Sequence, residues 1–170
     1  LNTVNGISNQ ALFETLTKGG FPPSRIAVIS FSLAEAELMD MPATRRPGDY
    51  CAWSYFQSLD SPGNERFVQA FRARYGAQRV TDDPMEAAYF QVHLYALAVR
   101  AAGSLDPVAV HAAAAGLLFD APQGLVRIDP RNFHTWKVAR IGRIRADGQF
   151  DVVWSSGGPV RPEPFPARMP

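Results

Sequence analysis

Apolar and polar positions follow two rhythms along this chain, and the change between them falls near Gly116. Before it, short apolar runs alternate with stretches of helical period. A strand ending at Val4 is followed by a tight loop over residues 5–8 and a short helix over 9–18, capped by Ser8 or Asn9. Gly19-Gly20 stops that helix in the manner of a C-terminal glycine. The continuous apolar run 26–30 predicts a strand buried on both faces. Ser32-Leu33-Ala34-Glu35 has the spacing of a capping box and predicts a helix to about Met39. A strand over 50–56 places Cys51, Trp53 and Tyr55 on one face, and 57–60 reads as a crossing segment. Ser61-Pro62 then begin a helix through Tyr75. This order is that of an α/β protein with a parallel sheet and flanking helices.

The most fully specified element begins at Asp83. That residue occupies an N-cap position, Pro84 the first helical position, and Glu86 the capping-box position three residues on. Met85, Ala88, Tyr89, Val92, Ala96 and Val99 recur at helical spacing, while Phe90, Leu94 and Leu97 fill a second flank. Such a wide apolar surface predicts burial on several sides. Asp106-Pro107 repeats the cap-plus-proline device for a helix to about Ala115. After Gly116 the period becomes that of strands: 125–129, 138–144 and 150–154, the last two joined by the hairpin signal Asp147-Gly148. A C-terminal antiparallel β-meander therefore follows the α/β part. The Pro-rich tail, 157–170, lacks periodicity and is expected to be extended or mobile.

The 170 residues suffice for one ordinary domain or parts of two small ones. A net charge of +1, with dispersed Lys and Arg, supplies no basic surplus for a nucleic-acid partner. No apolar run approaches the roughly 20 residues of a membrane-spanning helix. The single cysteine, Cys51, excludes an internal disulfide and a Cys-based zinc site. The first residue is Leu1, and the chain reads as a C-terminal fragment, with a signal peptide expected upstream.

Candidate catalytic groups do not assemble. His93, His111 and His134 are scattered, with no His-x-x-x-His pair or carboxylate cluster to complete a metal site, and structural roles are expected for all three. Nothing near Cys51 lowers its pKa, and there is no nucleophile elbow or phosphate-cradling glycine loop. No cofactor is expected. Polar residues recur instead at the carboxyl ends of the α/β strands: Asn5, Ser8 and Asn9, then Ser30, Ser32 and Glu35. Asp83 and Glu86 stand at the entry to the long helix. That edge of an open α/β sheet is where small ligands bind. Helix capping accounts for Ser32 and Asp83, and less well for Asn5, Ser30 and Tyr89.

Three stretches carry a family resemblance: residues 82–89 (DDPMEAAY), 119–124 (FDAPQG) and 128–135 (IDPRNFHT). They resemble the type I periplasmic solute-binding proteins of ABC transporters, and within them the urea and short-chain-amide branch. Residues 58–62 and 148–151 fit the same branch, and the similarity runs in one register from 1 to 166. The resemblance implies two α/β lobes joined by a three-strand hinge around a ligand. On that pattern, 1–56 and 117–156 are part of the second lobe and 62–115 supply the last helices of the first. Hinge crossings are expected near 57–60 and 115–120, and the rest of the first lobe is not in this chain. The implied ligand-binding residues are Asn5, Gly6, Ser8, Ser30, Ser32, Glu35 and Tyr55, with Glu86 and Tyr89 near the hinge.

The implied function is that of a periplasmic receptor, not an enzyme, which closes on urea or a small amide and delivers it to ABC permease subunits in the membrane. Acceptors in a dry cleft suit a neutral ligand rich in N–H donors. The alternatives are a receptor for branched-chain or other amino acids and a cytoplasmic amide-sensing regulator of the same fold. An uncovered apolar face implies that the fragment self-associates.

Overall fold

The computed structural model describes residues 1–165, so the part of the proline-rich tail beyond 165 lies outside the described residues. Its elements, in order, are α1 (Ser8–Lys18), β1 (Ile29–Ser30), α2 (Glu35–Asp40), β2 (Tyr50–Trp53), α3 (Pro62–Tyr75) and α4 (Asp83–Ala102). They are followed by α5 (Pro107–Ala114), β3 (Leu118–Ala121), β4 (Gly124–Ile128), β5 (Thr135–Ile144) and β6 (Phe150–Val160). One six-stranded mixed sheet runs in the order β1-β2-β5-β4-β3, with β6 on β5. Only its first edge is parallel. Ile29 pairs with Tyr50 and Ser30 with Cys51, and an isolated parallel bridge joins Asn2 to Ser30.

β5 is the strand that both halves share. Its start pairs with β4 through Thr135 and Trp136, and its later residues pair with β2 from Arg140 to Arg143. Around the later part, α1, α2, β2 and β6 enclose a core of Phe13, Leu33, Leu38, Cys51, Phe56, Ile144 and Phe150. Around its start, α4 packs on the β3–β4 hairpin through Phe90, Leu94, Ala121 and Val126. The hairpin thus sits with the helices of 62–115, although 117–156 were expected to group with 1–56. Tyr55, Phe67 and Val68 form a third cluster, with Leu59 shared between it and the first.

Several expected elements are shorter, longer or displaced, each for a visible reason. The strand expected over 26–30 is paired only at Ile29–Ser30. Upstream, side chains replace the ladder: Asp49 accepts from Val28 N at 2.9 Å, and Arg46 donates to Ile26 O at 3.1 Å and Phe21 O at 2.8 Å. Arg46 and Asp49 are themselves paired at 2.6 Å, buried. β6 extends to Val160, because Lys137 and Val138 pair with Val160 and Pro159, so the tail is ordered that far. The strand Leu118–Ala121 was not foreseen. The long helix was expected to be buried on several sides. It buries one stripe, Glu86, Phe90, Leu94 and Ala98, at strict four-residue spacing, and leaves Val92 69% and Tyr95 58% exposed. The described elements cover that helix on one flank only.

Both expected capping boxes are also redrawn. Asp82, not Asp83, caps α4 by accepting from Met85 N at 3.0 Å. α2 starts after Ala34, whose N–H donates to Glu37 at 3.0 Å, rather than at Ser32 with Glu35. The displaced acids turn inward. Glu35 is fully buried, with Oε1 accepting from Gln57 N at 2.7 Å and Oε2 without a partner among the described residues. Burial pushes its pKa up to about 8 from an ordinary 4.5, against the Gln57 hydrogen bond.

Two outcomes follow from this packing. A Cβ at Gly142 would come within 2.7 Å of Phe56 Cζ and 3.1 Å of Phe150 Cβ. Gly142→Ala is expected to cost about 1–3 kcal/mol, as overpacking does, read as a lowered urea midpoint at unchanged m-value. For Glu35 the raised folded pKa means that its contribution to stability is complete below about 4.5 and lost as pH rises through about 8. Glu35→Gln, neutral at every pH, is expected to melt higher than the parent at pH 9 and to flatten the melting profile across that window. Parallel profiles would contradict the assignment.

Candidate functional site

The carboxyl ends of the three parallel neighbours lie side by side, at Val4, at Ser30 and at Trp53. Asn2 organises the first two. Its side-chain N–H groups donate to Asn9 Oδ1 at 2.8 Å and Ser30 Oγ at 2.9 Å, and its Oδ1 accepts from Val4 N at 2.9 Å. Asn9 in turn donates to Val4 O at 2.9 Å, and the Ser32 hydroxyl donates to the same carbonyl. These bonds hold up a loop in which Asn5, Gly6 and Ser8 are exposed, with Gly6 at φ +62°, where a side chain would be strained. Phe31, 46% exposed, stands beside it. Trp53 completes this rim, its indole N–H reaching Leu33 O at 2.8 Å.

Next to the rim is a shallow, open recess of about 370 Å³ lined by Trp53, Ser54, Asp83, Lys137 and Arg140 together with Ala52 and Ala139. Asp83 Oδ1 accepts from Ser54 N at 2.9 Å and Tyr55 N at 2.8 Å, and Oδ2 lies 3.6 Å from Lys137 Nζ. This is why β2 ends at Trp53 and not at residue 56: its next two amides are taken by a side chain. Arg140 donates to the Ser54 carbonyl and to Gln123 O, the latter at 2.9 Å. Burial holds its pKa below the ordinary arginine value, against the nearby Glu86 and Asp83 carboxylates.

Behind the recess the crossing segments share a buried polar network. The Tyr55 hydroxyl donates to Asn64 Oδ1 and meets Thr81 Oγ1, both at 2.7 Å. Asn64 donates to the carbonyls of Gln57 and Leu59, and Gln57 Oε1 accepts from Thr81 N at 2.8 Å. Glu86 accepts from Gln123 N and Nε2 at 3.3 and 2.8 Å. Burial raises its pKa to about 7, partly offset by those bonds and by Lys137. Burial also pushes the Cys51 thiol upward, with the Glu35 carboxyl adding to the shift.

The candidate ligand residues thus separate into three groups. Asn5, Gly6 and Ser8 are open at the rim. Ser30 and Ser32 lie beneath it, committed to Asn2 and Val4. Glu35, Tyr55 and Glu86 belong to the buried network, and Tyr89 stands apart on α4, 4.8 Å from the Phe67 ring and 4.5 Å from His93. Sequence reasoning did not single out Asn2, Gln57, Asn64, Thr81, Gln123, Lys137 or Arg140, whose partners are mostly distant along the chain. The FDAPQG stretch did contain Gln123. Among the described residues no cluster of His, Cys, Asp and Glu could hold a metal ion. A groove of about 490 Å³ along Leu94, Tyr95, Val110, His111 and Phe133 is mainly apolar and away from the strand ends.

Comparison with known proteins gives this geometry a family. A family model described as periplasmic binding protein domain matches residues 1–170. An amino-acid ABC transporter substrate-binding protein from Pseudomonas fluorescens Pf-5 superposes with TM-score 0.78 at 20% identity, covering 94% of this chain and 44% of that one. An ABC-transporter solute-binding protein of R. palustris in complex with benzoate gives 0.81 at 16% identity, covering 98% and 45%. A leucine-binding protein from Thermotoga maritima MSB8 gives 0.75 at 17%, covering 90% and 43%. A protein named limonene hydroxylase, from Geobacillus stearothermophilus, is 37% identical over 118 residues, 69% of this chain and 22% of its own length. The chain therefore spans less than half of each of these structures and under a quarter of that curated relative. With its whole length matched by the family model, its mixed sheet and its rim of strand-end loops, the chain belongs to the periplasmic binding protein domain family.

Proposed function

We propose that this chain is part of the solute receptor of an ABC transporter, located in the periplasm. On this reading it supplies one wall of a cleft that closes on a small molecule and presents it to membrane permease subunits. The wall is the rim at 5–8, 31–32 and 53–54 with the adjoining recess. The elements around β2 and the later part of β5 form most of one lobe, and α3–α5 belong to the other. The segments at 54–60 and 121–123, with β5, run between them on this reading, where crossings near 57–60 and 115–120 were expected; Leu117 and Phe119 pack with α4.

The observation that carries the ligand class is the neutrality of the open rim. Asn5, Gly6 and Ser8 offer amide, backbone and hydroxyl groups. The nearby cations are already engaged, Lys137 with Asp83 and Arg140 with two carbonyls. Those rim groups favour urea or a short-chain amide, the class whose members the motifs at 82–89, 119–124 and 128–135 resemble. A carboxylate ligand, an amino acid or an aromatic acid, is the second reading. It draws support from Arg140, whose two engaged nitrogens meet neutral carbonyls rather than an acid, and from the structural relatives named above. A cytoplasmic amide-sensing regulator with this fold would use the same wall.

Calorimetric titration of the chain, in the context of its complete reading frame, separates these readings. Heat with urea, acetamide or formamide and none with leucine or benzoate is expected, and heat only with the carboxylates would overturn the neutral class. Asn5→Ala is expected to weaken binding about 5- to 150-fold, the loss of one hydrogen-bond partner of about 1–3 kcal/mol that closure on the ligand would bury. The isolated 170-residue chain, with Val92, Tyr95, Leu105 and Val108 all more than half exposed, is expected to self-associate. Sedimentation as a monomer at micromolar concentration would contradict that expectation.

A further inference from the structure

The hydrogen bonds around the recess form a closed circuit. Glu86, fully buried in the first turn of α4, takes the backbone and side-chain N–H groups of Gln123. Gln123 O accepts from Arg140 Nη2, Arg140 Nη1 donates to Ser54 O, and Ser54 N donates to Asp83, one turn before Glu86 on the same helix. The circuit therefore passes through the β3–β4 turn, β5 and the end of β2 before returning to α4. Three of its members, Ser54, Asp83 and Arg140, line the recess. One atom in it is unpaired: Gln123 is 3% exposed, and its Oε1 has no hydrogen-bond partner among the described residues.

That orphan acceptor gives the pair two ways of meeting. Ionised Glu86 has acceptors only and takes both Gln123 donors. Protonated Glu86 carries an O–H that needs an acceptor, and a half-turn of the Gln123 side-chain amide would bring Oε1 to it. The groups around Glu86 are Asp83 on its own helix, Gln123 on the β3–β4 turn, Lys137 and Arg140 on β5, and Tyr55 beyond β2. With its pKa raised to about 7, chiefly by burial, both forms are populated near neutrality.

We propose that Glu86, Gln123 and Arg140 are positioning residues for the recess, and that a proton exchanged at the Glu86–Gln123 pair sets how tightly the segment at 121–124 and the Ser54 backbone are held. The ionised form holds them more firmly, because hydrogen bonds to a carboxylate are stronger than those to a neutral acid. The recess as a ligand wall is the reading above; the proton step itself is read without ligand, so either can fail alone.

Nuclear magnetic resonance of the complete reading frame, titrated from pH 5.5 to 8.5, tests this. The Glu86 side-chain carboxyl carbon is expected to titrate near 7. The Gln123 side-chain amide and the Ser54 backbone amide should move with the same midpoint. Exchange of Gln123 N–H, corrected for intrinsic rate, is expected to slow by about fivefold on ionisation. Glu86→Gln should abolish these steps while Asn2, remote from the circuit, stays unchanged. A Glu86 midpoint in the ordinary carboxylate range overturns the proton step. Gln123 signals indifferent to the titration, or steps that persist in Glu86→Gln, do the same. A Ser54 amide that does not follow overturns the positioning role. If Glu86→Gln does not fold, the parent titration alone decides.

Discussion

Backbone N–H groups just past the end of a strand have no ladder partner, and once buried they must find one. In this chain carboxylates meet them. Asp83 takes the amides of Ser54 and Tyr55, Glu35 that of Gln57 and Glu86 that of Gln123. All three acids come from the first turns of helices and reach sideways into the segments that run between the two packed halves. Each is expensive to bury, and for Glu35 and Glu86 the cost is visible as a raised pKa. The compensation is positional: chain that lies outside any regular element is fixed at its backbone.

That constraint accounts for the shape of the candidate site. β2 breaks off after four residues because Asp83 claims the next two amides, so the strand ends beside β1 and the bridge at Asn2 instead of continuing along β5. The ends of the three parallel neighbours therefore fall together, and their loops form one rim. β5 passes from the α4 side to the α1–α2 side and carries Lys137 and Arg140 to the back of the recess. Side-chain carboxylates thus keep these segments in place where no strand ladder reaches them.

Much of this architecture was legible in the sequence, because it rests on local signals. Ser61-Pro62, Asp106-Pro107 and Asp147-Gly148 mark the starts of α3 and α5 and a hairpin where the structure has them. What misled is the ambiguity of an acidic cap. Asp82 and Asp83 are equally able to cap α4, and Ser32-x-x-Glu35 is as good a capping box on paper as the start at Ala34. Choosing between them needed the position of Ser54, Tyr55 and Gln57, tens of residues away. The strand at 26–30 failed for a similar reason, since Arg46 and Asp49 supply its hydrogen bonds from afar. β3, short and with a half-exposed Leu118, has no period to announce it. At the site, Asn5, Gly6 and Ser8 were visible as polar residues after a strand. Asn2 and Arg140, which hold the surrounding backbone, show nothing in their local sequence.

Three amides beyond a strand end, those of Ser54, Tyr55 and Gln57, are held by side chains as firmly as a strand holds its own. Residue-resolved hydrogen exchange of Ser54, Tyr55 and Gln57 measures that directly. Protection within the range of the central residues of β5, from Arg140 to Gly142, is the predicted result. Exchange as fast as the exposed turn at Asp147 would mean that the carboxylates do not hold the crossing, and the explanation of the site would fall with it.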